Sequence, residues 1–219
     1  MKKVINHKGW LTAILSIIPF FIFVSFFQGF GVGLSNVLGK RGIIDFDFDK
    51  YLEIEDMRDF LVADTIIQYF DLIGVLLLLW ILMRFVDKEP FINLGFSLKG
   101  KVNDIILGMT LGLLLMAVGY TILILLGEIK FIGFNYDLKN IILLFLLFIA
   151  VSIAEETYVR GYVLKNLLQS FNPIISLIIS SAIFSLLHFF NPNVNYIALT
   201  ELFIAGILLG ISYVYTKNL

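Results

Sequence analysis

Long blocks of Leu, Ile, Phe and Val with few charges dominate the chain, separated by short polar stretches. About 20 apolar residues cross a bilayer core as a helix. Six stretches read as spans: residues 10–33, 60–84, 105–127, 137–168, 174–190 and 196–215. Short alternating segments, the mark of a membrane β-barrel, do not occur. The pattern therefore predicts an all-α, polytopic membrane bundle of about six transmembrane helices. Pro19 places a kink near Leu15 to Pro19, and Asn103 or Asp104 offers an N-cap for the third span. Gly108 and Gly112 give that span a small-xxx-small packing face. The fourth helix is about 45 Å long at 1.5 Å per residue, more than the hydrocarbon core, so its end projects beyond the membrane. Asn172-Pro173 then forces a turn.

Between the first two spans, residues 34–59 form a polar loop rich in acids: Asp45, Asp47, Asp49, Glu53, Glu55, Asp56 and Asp59. A solvated loop with a short surface helix is the expectation for such a run. The alternation Asp45-Phe46-Asp47-Phe48-Asp49 lacks the glycine and distal glutamate of a calcium loop. Asp64 and Asp71 share a helical face, seven residues apart. Capping the outer end of the second span is the favoured expectation, given the intramembrane cost of charge, and facing the bundle interior the alternative. Organisation along the chain divides it into an N-terminal two-helix membrane region, 1–94, and a second region, 95–219.

Composition sharpens this picture. Of 219 residues, 59% are hydrophobic, more than a soluble domain carries. The net charge of -1 gives no basic patch for nucleic acid. Without cysteine there is no disulfide, thiolate metal site or thiol nucleophile. Lys2, Lys3 and Lys8 precede the first span, and Arg84, Lys88, Lys99 and Lys101 follow the second. The positive-inside rule then puts the N-terminus in the cytoplasm of a multi-pass cell-membrane protein.

Candidate chemistry lies inside the fourth helix. Glu155, Glu156 and Arg160 interrupt an apolar run, where an ionisable group costs several kcal/mol and marks a functional site by default. Glu156 and Arg160 are an i,i+4 pair, and the guanidinium holds Glu156 ionised. Glu155 points about 100° away, free for chemistry. Desolvation makes a carboxylate more basic, which suits a general base. Glu156 and His188 stand equally far on either side of Asn172. On two antiparallel helices each would lie about 24 Å from the turn, at one depth. His188 shares a polar stripe with Ser181 and Ser185. It can orient water, stabilise an oxyanion or bind a metal.

Two motifs carry a family resemblance: EExxxR at Glu155, Glu156 and Arg160, followed by Gly161, and FxxxH at Phe184 and His188. At these residues the chain resembles the CPBP family, the CAAX-protease and bacteriocin-processing (Abi-type) intramembrane proteases, over residues 95–219. Small residues spaced as Phe203, Gly206 and Gly210 fit the same pattern. The resemblance implies a membrane-embedded endopeptidase in which Glu155 activates water and Glu156 and Arg160 organise the site. His188 would stabilise the tetrahedral intermediate, or ligate a metal such as zinc together with Glu155. A third family motif, a histidine with an asparagine four residues later, would lie one helix further on. The chain given ends at Leu219 before such a helix, so a truncated protein or an incomplete record is expected. His7, in the basic tail, does not substitute.

The leading expectation is hydrolysis of a membrane-associated peptide or protein, in bacteriocin self-immunity or peptide maturation. The partners it implies are the lipid bilayer and that substrate. The alternative is a non-catalytic membrane binding or immunity protein that keeps the motif as a structural ion-pair network. A third reading is a small transporter with a proton-coupled carboxylate.

Overall fold

The structure, a computed structural model, describes residues 8–51, 60–97, 100–134, 136–191 and 194–219. Lys2, Lys3 and His7 of the basic tail lie outside the described residues. So do Glu53, Glu55, Asp56 and Asp59 of the polar loop, Lys99, and Pro192-Asn193. Every regular element among the described residues is helical. Five helices are long and apolar enough to cross a membrane: Gly9–Lys40, Leu61–Asp87, Val102–Leu125, Leu138–Ser170 and Tyr196–Thr216. The protein is a multi-pass helical membrane protein.

The chain forms two compact units. One holds Met1–Phe96 and Lys139–Leu219, the other Ser97–Leu138. In the smaller unit, α5 (Val102–Leu125) buries no side chain, and Gly108 and Gly112 are exposed within it. Its N-cap is Lys101, earlier than the predicted Asn103 or Asp104, and Lys101 instead pairs with Asp104 at 3.0 Å. In a bilayer such an apolar helix satisfies its backbone internally and presents its side chains to lipid.

The larger unit begins with α1 (Gly9–Leu15) and α2 (Ile17–Lys40), interrupted at Ser16. Pro19 supplies no N–H to the preceding turn, and the Ser16 hydroxyl donates to the Ala13 carbonyl at 2.7 Å. In α4 (Leu61–Ile81) small residues allow close approach to α2. A Cβ on Gly31 would fall 2.7 Å from the Ile67 Cα, and one on Gly74 2.8 Å from the Phe27 ring. A π-helical turn, Leu82–Asp87, extends α4. Short α3 (Phe48–Tyr51) is capped by Asp47, whose Oδ1 accepts from the backbone N–H of Asp49 and Lys50. This acid stretch therefore spends a carboxylate on a helix cap. Among the described residues, no three His, Asp or Glu groups come together to hold a metal.

Of the two aspartates on α4, only Asp64 lies at a helix end. Asp64 accepts from the Tyr51 hydroxyl at 3.0 Å, beside the polar loop. Burial, then the Asp64 carboxylate, push the Tyr51 phenol up to about 12. Asp71 sits in the middle of α4, only 8% exposed, and faces the bundle interior. The helical repeat puts both on one face, but the packing of α2 and of the helix after residue 138 covers only the second.

The fourth span is one continuous helix of three parts. α6 (Leu138–Glu156) passes into a π-helical stretch, Thr157–Leu164, which continues as α7 (Lys165–Ser170). All eight π-helical residues are buried. Their wider turn, with i→i+5 hydrogen bonds, is of the kind found at functional sites. Gly161 is needed there, because a Cβ would fall 2.9 Å from the Leu94 carbonyl oxygen. That carbonyl ends a 3-10 turn, Phe91–Leu94, and also accepts from the Tyr213 hydroxyl at 3.3 Å. α8 (Pro173–Leu187) starts at an Asn172 cap, whose side chain accepts from the Ile175 N–H. With 15 residues it is shorter than the expected span and ends just before His188. α9 (Tyr196–Thr216) packs on it, Gly206 against Ser181 and Gly210 against Leu177.

Candidate active site

Four side chains singled out in the sequence meet where α6 joins its π-helical continuation and α8 ends. Arg160 is buried, 1% exposed, with Nη1 3.2 Å from Glu156 Oε1. Its guanidinium carbon lies 4.3 Å from the centroid of the Phe184 ring. A guanidinium over an aromatic face is held by the ring quadrupole, more strongly once desolvated. Phe184 thus seats the arginine from α8 while Glu156 neutralises it from one helical turn away.

The other face of Phe184 serves the histidine. Its ring meets the His188 ring edge-on at 4.9 Å between centroids, and its carbonyl lies 2.9 Å from His188 Nδ1. A carbonyl only accepts, so Nδ1 carries the proton and donates. Nε2 is left facing Glu155 Oε1 at 3.3 Å. The four-residue spacing from Phe184 to His188 therefore fixes both the ring position and the tautomer. Tyr158 steadies the opposite side, stacked on Phe20 and 3.2 Å from the Ser16 hydroxyl.

Glu155 and His188 line a cavity of about 360 Å³. Its walls are largely apolar, from Phe20, Phe21, Val24, Val75, Val151 and Leu187. Its polar groups are Ser25, Gln28, Gln68, Asp71, Glu155, His188 and Asn191. Glu156 and Arg160 do not line it. Of the predicted stripe on α8 only His188 does. Ser181 packs under Gly206, and Ser185 donates to the Leu199 carbonyl at 2.7 Å. The sequence reading missed the far wall. Asp71 and Gln68 belong there, and a carboxyl in the middle of an apolar run was the signal that could have found them.

The donor set bears on a metal. A tetrahedral zinc site with catalytic water takes about three protein ligands. Among the described residues, Glu155 and His188 converge while Glu156 turns to Arg160. This arrangement does not fit such a site.

An apolar helical bundle that encloses an acid–histidine pair beside a partly polar cavity has the make-up of a membrane-embedded hydrolase. Residues 137–219 match the Rce1-like family, described as type II CAAX prenyl endopeptidase Rce1-like. The match agrees with the resemblance carried by EExxxR and FxxxH, over the part of the chain that holds both motifs. No curated protein and no solved structure matches the chain. The matched segment holds Glu155, Glu156, Arg160, Phe184 and His188, whereas Gln68 and Asp71 lie outside it.

Proposed function

We propose that the protein is an intramembrane endopeptidase that hydrolyses a peptide bond of a membrane-associated peptide or protein, with Glu155 as general base. The observation that carries this reading is the Glu155–His188 pair, 3.3 Å apart on a cavity wall inside an apolar bundle. Glu155 takes a proton from a water molecule, and the oxygen attacks the scissile carbonyl carbon. His188, its Nδ1–H committed to the Phe184 carbonyl, presents Nε2 to the developing oxyanion when that nitrogen is protonated. The proton held by Glu155 passes to the leaving nitrogen as the C–N bond breaks, which balances the step. Glu156 and Arg160 support the site by fixing the helix that carries Glu155. No step runs through a metal.

A role in bacteriocin self-immunity or peptide maturation follows from the family resemblance. A cell-membrane location with a cytoplasmic N-terminus follows from the basic residues at 2, 3, 8, 84, 88, 99 and 101. The alternative, a non-catalytic binding or immunity protein, gains support from the Glu156–Arg160–Phe184 cluster, an ion pair and cation–π contact that need no chemistry to stand. The two separate in proteoliposomes holding an internally quenched hydrophobic peptide. Cleavage by the wild type that disappears in Glu155→Gln, with thermal stability retained, establishes the enzyme. Peptide left intact by well-folded wild type favours the binding protein.

A further inference from the structure

The cavity wall opposite Glu155 and His188 comes from α2 and α4. Its central group is Asp71. One carboxyl oxygen, Oδ2, accepts from Gln68 Nε2 at 3.1 Å. The other, Oδ1, is buried and has no hydrogen-bond partner among the described residues. Among the described residues, neither Lys nor Arg lines the cavity. Arg160 is sealed away with Glu156, and Glu155 already faces His188. The cavity thus holds two carboxyl groups against one histidine. A buried carboxylate with an unpaired oxygen is costly unless a cation or donor meets it, and inside a membrane bundle the cost is several kcal/mol. Gln68 orients the group but adds no positive charge.

We propose that Asp71, positioned by Gln68, is a specificity residue that receives a cationic side chain, lysine or arginine, of the bound peptide. This rests on the protease reading for its substrate class, but the pairing itself requires no hydrolysis. An apolar peptide segment suits the Phe20, Phe21 and Val24 wall, and its one cation would pair with the Asp71 carboxylate on the cavity lining. With an all-apolar peptide Asp71 would stay unpaired, so discrimination comes from the penalty as much as from the contact.

The test uses two blocked, fluorescently labelled hydrophobic peptides, identical except that one carries lysine where the other carries norleucine. Binding to full-length Glu155→Gln protein in detergent removes turnover from the measurement. The lysine peptide is expected to bind about tenfold more tightly, on the order of 1.4 kcal/mol. Adding the near-isosteric Asp71→Asn should erase the difference, and Asp71→Glu should keep part of it. Equal affinity of the two peptides for Glu155→Gln overturns the inference without needing any Asp71 variant, as does a lysine preference that survives Asp71→Asn. Failure of the protease reading shows separately, as a wild type that cleaves neither peptide.

Discussion

Two ion pairs on the same long helix behave differently. At its end, Lys165 Nζ lies 2.6 Å from Glu89 Oε2, and Asn93 donates to the same oxygen at 3.3 Å. That pair ties the helix to the turn after the second span. Burial pushes the Glu89 carboxyl up, but the Lys165 hydrogen bond and charge, with Asn93, outweigh it and hold it below the ordinary range. Earlier on the same helix, Glu155 meets His188 at 3.3 Å with a cavity in front of it. A structural acid has its partners gathered round it, whereas a working acid keeps one side open to a ligand. Glu156, adjacent in sequence, belongs with the structural kind because its face turns to Arg160.

The largest expected effect lies at the open acid. Glu155→Gln should lower the cleavage rate by about 10²–10⁴-fold, the range typical of a lost general base. Measured on fluorogenic peptide in proteoliposomes, a rate within a few-fold of wild type would place the base elsewhere. Arg160→Met should follow. It strands Glu156 and empties the seat over Phe184, at a cost of about 3 kcal/mol, the lower end for breaking a buried pair because Glu156 is partly exposed. Thermal unfolding in detergent reads this out, and an unchanged melting temperature would remove the arginine from the structural account.

Gly161→Ala comes next, at about 1–3 kcal/mol, since the new Cβ meets a backbone carbonyl that cannot swing aside. An unaltered stability would mean that the 3-10 turn gives way freely. Smallest is Glu89→Gln, below about 1 kcal/mol for a half-open pair. Because the folded Glu89 carboxyl is depressed, its contribution is complete above the unfolded carboxylate value. It is lost as pH falls through the lower folded value. The difference in melting temperature between wild type and Glu89→Gln should therefore shrink on acidification. A difference that instead grew in acid would reverse the sign of this pair.

Much of the fold was legible because lipid imposes it. Unbroken apolar runs must be helices, and the turn at Asn172-Pro173 follows from proline's missing N–H and fixed φ. The i,i+4 pairing of Glu156 with Arg160 is likewise local geometry. The depth argument used Glu156, yet Glu155 is the residue beside His188. Counting turns gives height along a helix, while rotation depends on the π-helical stretch and on packing. The shortness of α8 was also hidden, since Phe189 and Phe190 continue its apolar run after the helix has ended. The cost of charge in lipid favours a helix end for Asp71, and only packing against other helices gives it a buried place in mid-helix.

By itself the sequence determined that this is a polytopic helical membrane protein and that Glu155, Glu156, Arg160 and His188 stand as ionisable groups in apolar segments. Periodicity, helix-breaking residues and the cost of charge in lipid all act within one segment. Only the tertiary structure decided which glutamate meets the histidine, how Phe184 holds both Arg160 and His188, and that Asp71 closes the far wall. Those contacts join residues that are distant in the chain, and their geometry is set by how the helices rotate against one another as small residues let them approach.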